Sequence, residues 1–373
     1  MIRIGFITDL SGPYAQLDGS AGGEAIRMAV ADLGGMVAGK RIEVEVADHQ
    51  NQTNVAVARA RELLDGQRID VLIGGVNSGP SLAMAKLAGE RRRPYIAVGA
   101  GNSAHTQEQC SPYTVQYAYD TTAQGRALGL GLIRAGAKSW FFITPDYAFG
   151  VQMQDAAANA VQAEGGTVRG SVRHAYGAID FTAALRQAQD SGAEVLGFAS
   201  GHADGINLVN AAKAQGIGRT MKLAGTFLFI DEIHELGLSA AQGVYVTDSW
   251  FWTRDADSRL WSRRFFDRFK RMPSSLHAAD YSAATQYLKA VEAAGTDDPD
   301  TVLAQLRSTK LDDTYVKGGR IRPDGVMVHD MHLLRIKAPA ASTEPWDFYE
   351  HVDTIIGDAA WTPRSEARCG MWK

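Results

Sequence analysis

The sequence predicts an α/β chain of two doubly wound, Rossmann-like lobes, each on a parallel sheet, joined by a three-segment hinge. Three observations lead there. Short apolar runs alternate with amphipathic segments, the pattern of βαβ units whose strands are buried on both faces. The pattern then starts again. Asp70-Val71-Leu72-Ile73-Gly74 is echoed by Glu194-Val195-Leu196-Gly197-Phe198, and Asn77-Ser78-Gly79 by Ser200-Gly201-His202-Ala203-Asp204-Gly205, each just before a helix. That repeats a whole lobe, not a short solenoid period. Beyond Val244 the order changes to helices and a late strand, so the chain is expected to cross back between the lobes. The predicted division is 1–120 with 251–329, then 121–250 with 330–345, then an irregular C-terminal tail over 346–373. The crossovers fall at Tyr119–Thr121, Ser249–Trp252 and His329–Met331.

In chain order, Arg3–Thr8 reads as a strand ending in Asp9-Leu10-Ser11-Gly12-Pro13-Tyr14. A helix follows with Ile26, Val30 and Leu33 on one face and Gly34-Gly35 as its stop. Ile42–Ala47 is a strand and Thr53–Leu64 a helix. Val71–Gly74 is a buried strand, Gly75–Gly79 a tight turn, and Pro80 opens a helix running to Glu90. Pro94–Val98 is the next strand, ending in Gly99-Ala100-Gly101-Asn102-Ser103. In the second lobe Trp140–Thr144 is a strand, and Asp146-Tyr147-Ala148-Phe149-Gly150 leads into a helix. Helices are expected around Arg259–Lys270 and Ala278–Ala294, and a strand over Met327–Lys337.

Composition narrows the function. The net charge is −4, with no basic cluster beyond Arg91-Arg92-Arg93, which argues against nucleic acid because neutralising phosphates needs a basic stripe. No apolar run approaches a membrane span. Ile2–Ile7 is already strand-like, so the chain is either cytosolic or has Met1 in place of a removed leader. Two cysteines are too few for a metal cage. They are either one disulfide of an oxidising compartment or two buried thiols. Cys110 lies in the loop before a strand over Tyr113–Tyr119, and Cys369 near the end of the tail; we expect a disulfide pinning that tail.

Several motifs weaken on inspection. Gly99-x-Gly101-x-x-Ala104 formally matches a dinucleotide fingerprint, but Glu108-Gln109-Cys110-Ser111-Pro112 leaves no room for the helix that must open at its third position. His329-x-x-His332 has the look of a metal pair, yet i and i+3 of a strand face opposite ways. There is no Gly-x-Ser-x-Gly elbow, Walker loop or Cys–His arrangement. Asp9, Asp48, Asp120 and Asp146 lie at strand ends, where capping a turn is commoner than acid–base work. No enzyme activity, cofactor or metal is expected.

What remains points to binding. A helix N-terminus offers free N–H groups and the positive end of the dipole, so the Asn77-Ser78 corner suits a carboxylate. Tyr14, Tyr117, Tyr119, Tyr147, Phe149, Phe227, Phe229, Trp250, Phe251 and Trp252 all sit in or beside strand-end loops, which suggests a cleft with apolar walls.

Leu10-Ser11-Gly12-Pro13-Tyr14-Ala15, Gly74-Gly75-Val76-Asn77-Ser78, Tyr147-Ala148-Phe149-Gly150 and Gly318-Gly319-Arg320-Ile321-Arg322-Pro323-Asp324-Gly325 resemble the leucine/isoleucine/valine-binding protein family along essentially the whole chain. These are periplasmic substrate-binding components of ABC importers, with the type I binding-protein fold. The resemblance implies a monomer in the periplasm that closes on a small molecule like a hinge and delivers it to permease subunits. It implies a Ser after the third strand on the ligand carboxylate, matching Ser78. The family's Thr after the fourth strand falls on Gly101, its ammonium-neutralising Glu on or next to Phe227, and a second-lobe Tyr near Gly201-His202. A buried ammonium without a carboxylate would cost several kcal/mol. The expected ligand is therefore a carboxylic acid without an α-amino group, aromatic or branched aliphatic. Its carboxylate would sit among Asn77, Ser78, Ala100, Gly101 and Asn102, with glycine backbone N–H groups replacing the Thr hydroxyl. Its body would lie among Tyr14, Tyr147, Phe227 and Trp250, with His202 or Asp248 reading a polar substituent. A branched-chain or other amino acid is the runner-up, with Asp248 or Asp120 as ammonium partner; a cytosolic amide or small-ligand sensor of the same fold is the other alternative.

Overall fold

The computed structural model describes residues 1–372. The chain divides into two compact units, one comprising Met1–Asp120, Arg254–His329 and 363–372, the other Thr121–Thr253 and Asp330–Thr362.

The first unit opens with β1 (Ile2–Thr8), α1 (Gly19–Asp32), β2 (Met36–Val37), β3 (Lys40–Asp48), α2 (Thr53–Arg61), β4 (Val71–Gly74), α3 (Ser78–Glu90), β5 (Tyr95–Ala97) and β6 (Thr114–Gln116). Its six strands are ordered β2-β3-β1-β4-β5-β6, parallel apart from the β2–β3 pair. Leu63, Leu72, Met84, Leu87 and Tyr95 are buried together where the helices cover the sheet. Such two-sided burial is why Val71–Gly74 is a continuous apolar run.

The second unit holds α4 (Thr121–Arg134), β7 (Ser139–Pro145), α5 (Ala148–Ala163), β8 (Thr167–His174), α6 (Thr182–Asp190), β9 (Val195–Phe198), α7 (His202–Ala214), β10 (Lys222–Gly225), α8 (Ile230–Leu236), α9 (Leu238–Ala241) and β11 (Tyr245–Asp248). The chain then returns to the first unit through α10 (Ala256–Phe269), α11 (Ser275–Ala294), α12 (Pro299–Ser308), β12 (Arg320–Ile321) and β13 (Met327–Val328), and completes the second with β14 (Met331–Ile336) and β15 (Tyr349–Ile355). The second sheet has seven strands in the order β15-β14-β11-β10-β9-β7-β8, with β14 and β15 antiparallel to their neighbours. Leu128, Leu132, Trp140, Phe142, Val161 and Leu333 pack against it.

Two expectations need correction. The tail is not irregular from 346: Tyr349–Ile355 pairs along β14, and Pro363 onward rejoins the first unit, so the chain changes unit four times rather than three. Pro339, Pro345 and Pro363 punctuate this stretch and disguise a strand whose buried ends, Tyr349 and Ile355, bracket exposed or half-buried residues. The strand expected over Met327–Lys337 is two strands in different units, interrupted at His329-Asp330, because β13 pairs with β12 while β14 pairs with β11.

Candidate functional site

Both sheets place their strands in one order. The parallel strands run β3-β1-β4-β5-β6 in the first unit and β8-β7-β9-β10-β11 in the second. The connections reverse direction between β1 and β4, and between β7 and β9. Open α/β sheets bind ligands outside the carboxyl ends of strands at such switch points. Tyr14 follows β1 and Asn77-Ser78 follows β4; Tyr147 follows β7 and His202 follows β9. Ala100, Gly101 and Asn102 follow β5, Phe227 follows β10, Asp248 ends β11 and Trp250 comes just after it.

In the first unit these loops are shaped by two carboxylates, Asp9 buried and Asp48 half-buried. Asp9 accepts from the Gly12 amide at 2.7 Å and the Tyr14 amide at 2.9 Å, which sets the loop carrying Tyr14. Asp48 accepts from the Leu10 amide at 2.9 Å and the Ser11 hydroxyl at 2.6 Å. Burial works to raise the Asp48 pKa, but the hydrogen bonds from Ser11, Leu10 and Gln50 outweigh it and hold the group below the usual carboxylate range.

Asn77 caps α3, its Oδ1 accepting the Gly79 amide at 2.9 Å, while its Nδ2 donates to Asn51 Oδ1 at 2.7 Å. Its side chain is thus engaged in holding the corner. Ser78, the first residue of α3, is half-buried beside the helix's first N–H groups. Beneath the corner Tyr95 donates to the Gly74 carbonyl at 3.1 Å and meets Ser81 Oγ at 2.7 Å; Ser81 in turn lies 2.8 Å from His105 Nε2. Burial depresses the His105 pKa to about 4, so this imidazole is neutral near pH 7. A Cβ on Gly75 would collide with the Tyr95 hydroxyl, and φ is +81° there, so the residue must be glycine.

The β5 loop has a different logic from the one expected. A side chain at Gly101 would strike the ring of Tyr119, whose hydroxyl donates to the Gly99 carbonyl at 2.8 Å. A Cβ on Gly99 would press on Val76 Cα at 3.1 Å. The chain's own packing therefore accounts for both glycines. Ala100 is buried, its carbonyl accepting from Gln116 Nε2 at 2.7 Å, and Asn102 caps the next turn through the Ala104 amide at 2.9 Å.

In the second unit the loops form an aromatic cluster. Phe227 meets Phe149 edge-on at 5.1 Å between centroids, Phe229 at 4.8 Å and His202 at 5.5 Å. Tyr147 stacks on Phe149 at 6.1 Å and meets Tyr176 edge-on at 6.0 Å. Tyr147 is 40% and Tyr176 64% exposed, whereas Phe227 is 5%. Burial pushes the Tyr147 hydroxyl up to about 12, so it stays a neutral donor. The ring of Phe227 covers Gly201, where a Cβ would overlap Phe227 Cδ1. Phe227 and Gly201 are thus complementary: a tyrosine at 201 and this phenylalanine could not coexist without a shift.

His202 adopts φ +50°, rare for a residue with a side chain, and its Nδ1 lies 3.1 Å from Oε1 of Glu232. Oε2 of Glu232 accepts the Phe229 amide at 3.0 Å. The sequence reading missed Glu232; its signal was Asp231-Glu232 in the first turn after Phe229, where acids favour a helix start. Asp248 is buried and accepts the Ser249 amide at 2.7 Å, and Trp250 is 1% exposed. Among the described residues no three His, Cys, Asp or Glu side chains group as metal ligands, and no helix is long and apolar enough to cross a membrane.

Two doubly wound α/β units, each presenting its loops at a strand-order switch point, define a solute-binding protein of the periplasmic type. The chain belongs to the periplasmic binding protein family, whose pattern matches residues 1–342. It is 51% identical to a periplasmic binding protein from Burkholderia mallei, with a TM-score of 0.91 and coverage of 100% of this chain and 99% of that one. It is 34% identical to a branched chain amino acid ABC transporter periplasmic ligand-binding protein from Burkholderia xenovorans, with a TM-score of 0.97 over 100% of both chains. It shares its fold with a solute binding protein of an ABC transporter from R. palustris in complex with 4-hydroxybenzoate, at 21% identity, a TM-score of 0.85, and coverage of 96% and 98%. A curated relative, Leu/Ile/Val-binding protein homolog 6 of Brucella suis, is 25% identical over 229 residues, 58% of this chain and 57% of that protein's length.

Proposed function

We propose that this protein is the extracytoplasmic receptor of an ABC importer for a small carboxylic acid without an α-amino group, aromatic or branched aliphatic. The observation that carries the reading is the second unit's aromatic cluster. The position where the resemblance implies an ammonium-neutralising glutamate holds Phe227, packed on Gly201 and edged by Phe149, Phe229 and His202. With phenylalanine at 227, an ammonium set there would exchange its hydration for cation–π attraction without a carboxylate from that position, whereas a benzene ring or branched alkyl chain has no such hydration to lose.

The carboxylate is assigned to the N-terminus of α3, with the Ser78 hydroxyl and the first free amides as donors, supplemented by the backbone after β5. Tyr147 and Phe227 contact the ligand body, and His202, oriented by Glu232, reads a polar substituent; Tyr14, Trp250 and Asp248 complete the proposed set. The protein works as a monomer in the periplasm, binds without turnover and hands its ligand to the permease subunits. Binding of 4-hydroxybenzoate by the relative from R. palustris is compatible with this ligand class.

A branched-chain amino acid is the competing reading. It is favoured by the description of the 34% identical relative and by the buried carboxylate of Asp248, which could face an ammonium. Calorimetry with benzoate, 4-hydroxybenzoate, 4-methylpentanoate, leucine and valine separates the two. Binding of an acid but neither amino acid supports the proposal; tight binding of leucine or valine alone overturns it.

A further inference from the structure

Asp18, just before α1, and Asp280, on α11, are both completely buried in the first unit. They converge over a stretch of bare backbone. A Cβ on Gly22 would collide with Asp18 Oδ1 and with Asp280 Oδ2, and the ring of Phe6 closes the same space. Thr8 Oγ1 donates to Asp18 Oδ2 at 2.6 Å. Asp18 Oδ1 and both oxygens of Asp280 have no hydrogen-bond partner when the two groups are counted as ionised acceptors. Two bare carboxylates facing each other in a dry interior would be strongly unfavourable. A single proton removes the repulsion, turning Asp280 into an O–H donor to Asp18 and leaving its other oxygen a neutral carbonyl.

We infer that Asp18 and Asp280 share one proton at neutral pH, so that the floor of the first unit rests on a titratable acid pair. The surrounding groups leave no other neutraliser. From β1 comes the Thr8 hydroxyl, and from β5 the Tyr95 hydroxyl, which acts on both carboxyls but is engaged with Ser81 and the Gly74 carbonyl. From α11 comes His277, one turn before Asp280, whose Nδ1 takes the Ser274 amide and which burial keeps neutral. Arg271 faces His277 and donates to the Gln16 carbonyl at 2.7 Å. Among the described residues no cation is a cause of either carboxyl's shift.

The direction of the two groups agrees with the geometry. Burial, then the Asp18 charge and its hydrogen bond, push Asp280 well above the ordinary carboxylate range; burial also raises Asp18, against the bonds it accepts from Asp280 and Thr8. In the unfolded chain both acids titrate normally. The folded protein therefore binds more protons, and the stability due to this pair is lost as pH rises through its folded pKa. Tyr95 links the pair to the turn that carries Ser78, so the device underlies that corner whatever ligand occupies it.

The test is denaturant unfolding of the whole protein between about pH 7 and about pH 9, above the range in which buried histidines matter. We expect the wild-type unfolding constant to rise by up to tenfold per pH unit, and Asp280→Asn, whose amide can donate to an ionised Asp18, to lose that slope. Infrared spectroscopy of the wild type with aspartate labelled at Cγ supplies the check that needs no variant: a protonated-carboxyl C=O band at pH 7 is expected. A flat wild-type profile, an unchanged slope in Asp280→Asn, or no such band overturns the inference.

Discussion

Position 101 holds a glycine because Tyr119 lies on it, and position 201 holds one because Phe227 does. At both, the ring occupies the volume that a family-like side chain would need. Gly101→Thr should therefore cost about 1–3 kcal/mol of stability through overpacking, read by thermal unfolding. It should not strengthen carboxylate binding. If Ser78 holds the ligand carboxylate as proposed, Ser78→Ala should weaken binding of the cognate acid roughly ten- to a hundredfold by calorimetry, with no change in melting temperature. Phe227→Glu is the sharper substitution. A carboxylate among Phe149, Phe229 and His202 should lower affinity for an acid by about tenfold or more through repulsion and desolvation. Gain of leucine binding by that variant would show that this one position selects between the two ligand classes.

At the scale of elements, two carboxyl-end loops of the first unit are pinned by asparagine caps, Asn77 and Asn102. Asn77 serves α3 and Asn51 at once, so Asn77→Ala should destabilise by about 1 kcal/mol and also loosen the corner carrying Ser78. Hydrogen exchange of the Gly79 and Ser81 amides should rise in that variant more than exchange elsewhere in the first unit. Unchanged protection would mean that Ser81, Tyr95 and His105 hold the turn without the cap.

For the whole molecule, Cys110 and Cys369 form a disulfide with Cα atoms 5.7 Å apart and a sequence separation of 259. Closing so long a loop restricts the unfolded chain by about 5 kcal/mol in the entropy model, with less delivered in practice. Cys110→Ser with Cys369→Ser should lower the melting temperature and free residues 363–372 to proteolysis. Below neutrality the buried histidines and the acid pair act on stability with opposite signs. Burial holds His105 at about 4 and His277 at about 3, while both titrate near the ordinary value once unfolded. Since the folded values are depressed, the stability the histidines contribute is complete above about pH 6.5 and falls as pH drops toward about 4, on the order of 3 kcal/mol for His105. His105→Gln should flatten that limb in urea titrations.

The doubly wound class, the repeat, and the loops able to hold a ligand followed from local rules: apolar runs bounded by turns, glycines at strand ends, and an Asn-Ser-Gly-Pro helix start. Those signals lie within a few residues of one another, so the sequence alone determines them. The reach of the second sheet to Ile355 was hidden, because β15 exists only as an antiparallel partner of β14 and its own pattern is weak. The causes of Gly101 and Gly201 were hidden for the same reason. The rings that exclude a side chain at each come from residues 18 and 26 positions away. Glu232 beside His202, and Asp280 beside Asp18, are pairings across 30 and 262 residues that no spacing rule anticipates. Composition and pattern decide which groups are buried. Only tertiary packing decides which buried group meets which, and with it where the protons and the ligand's charge reside.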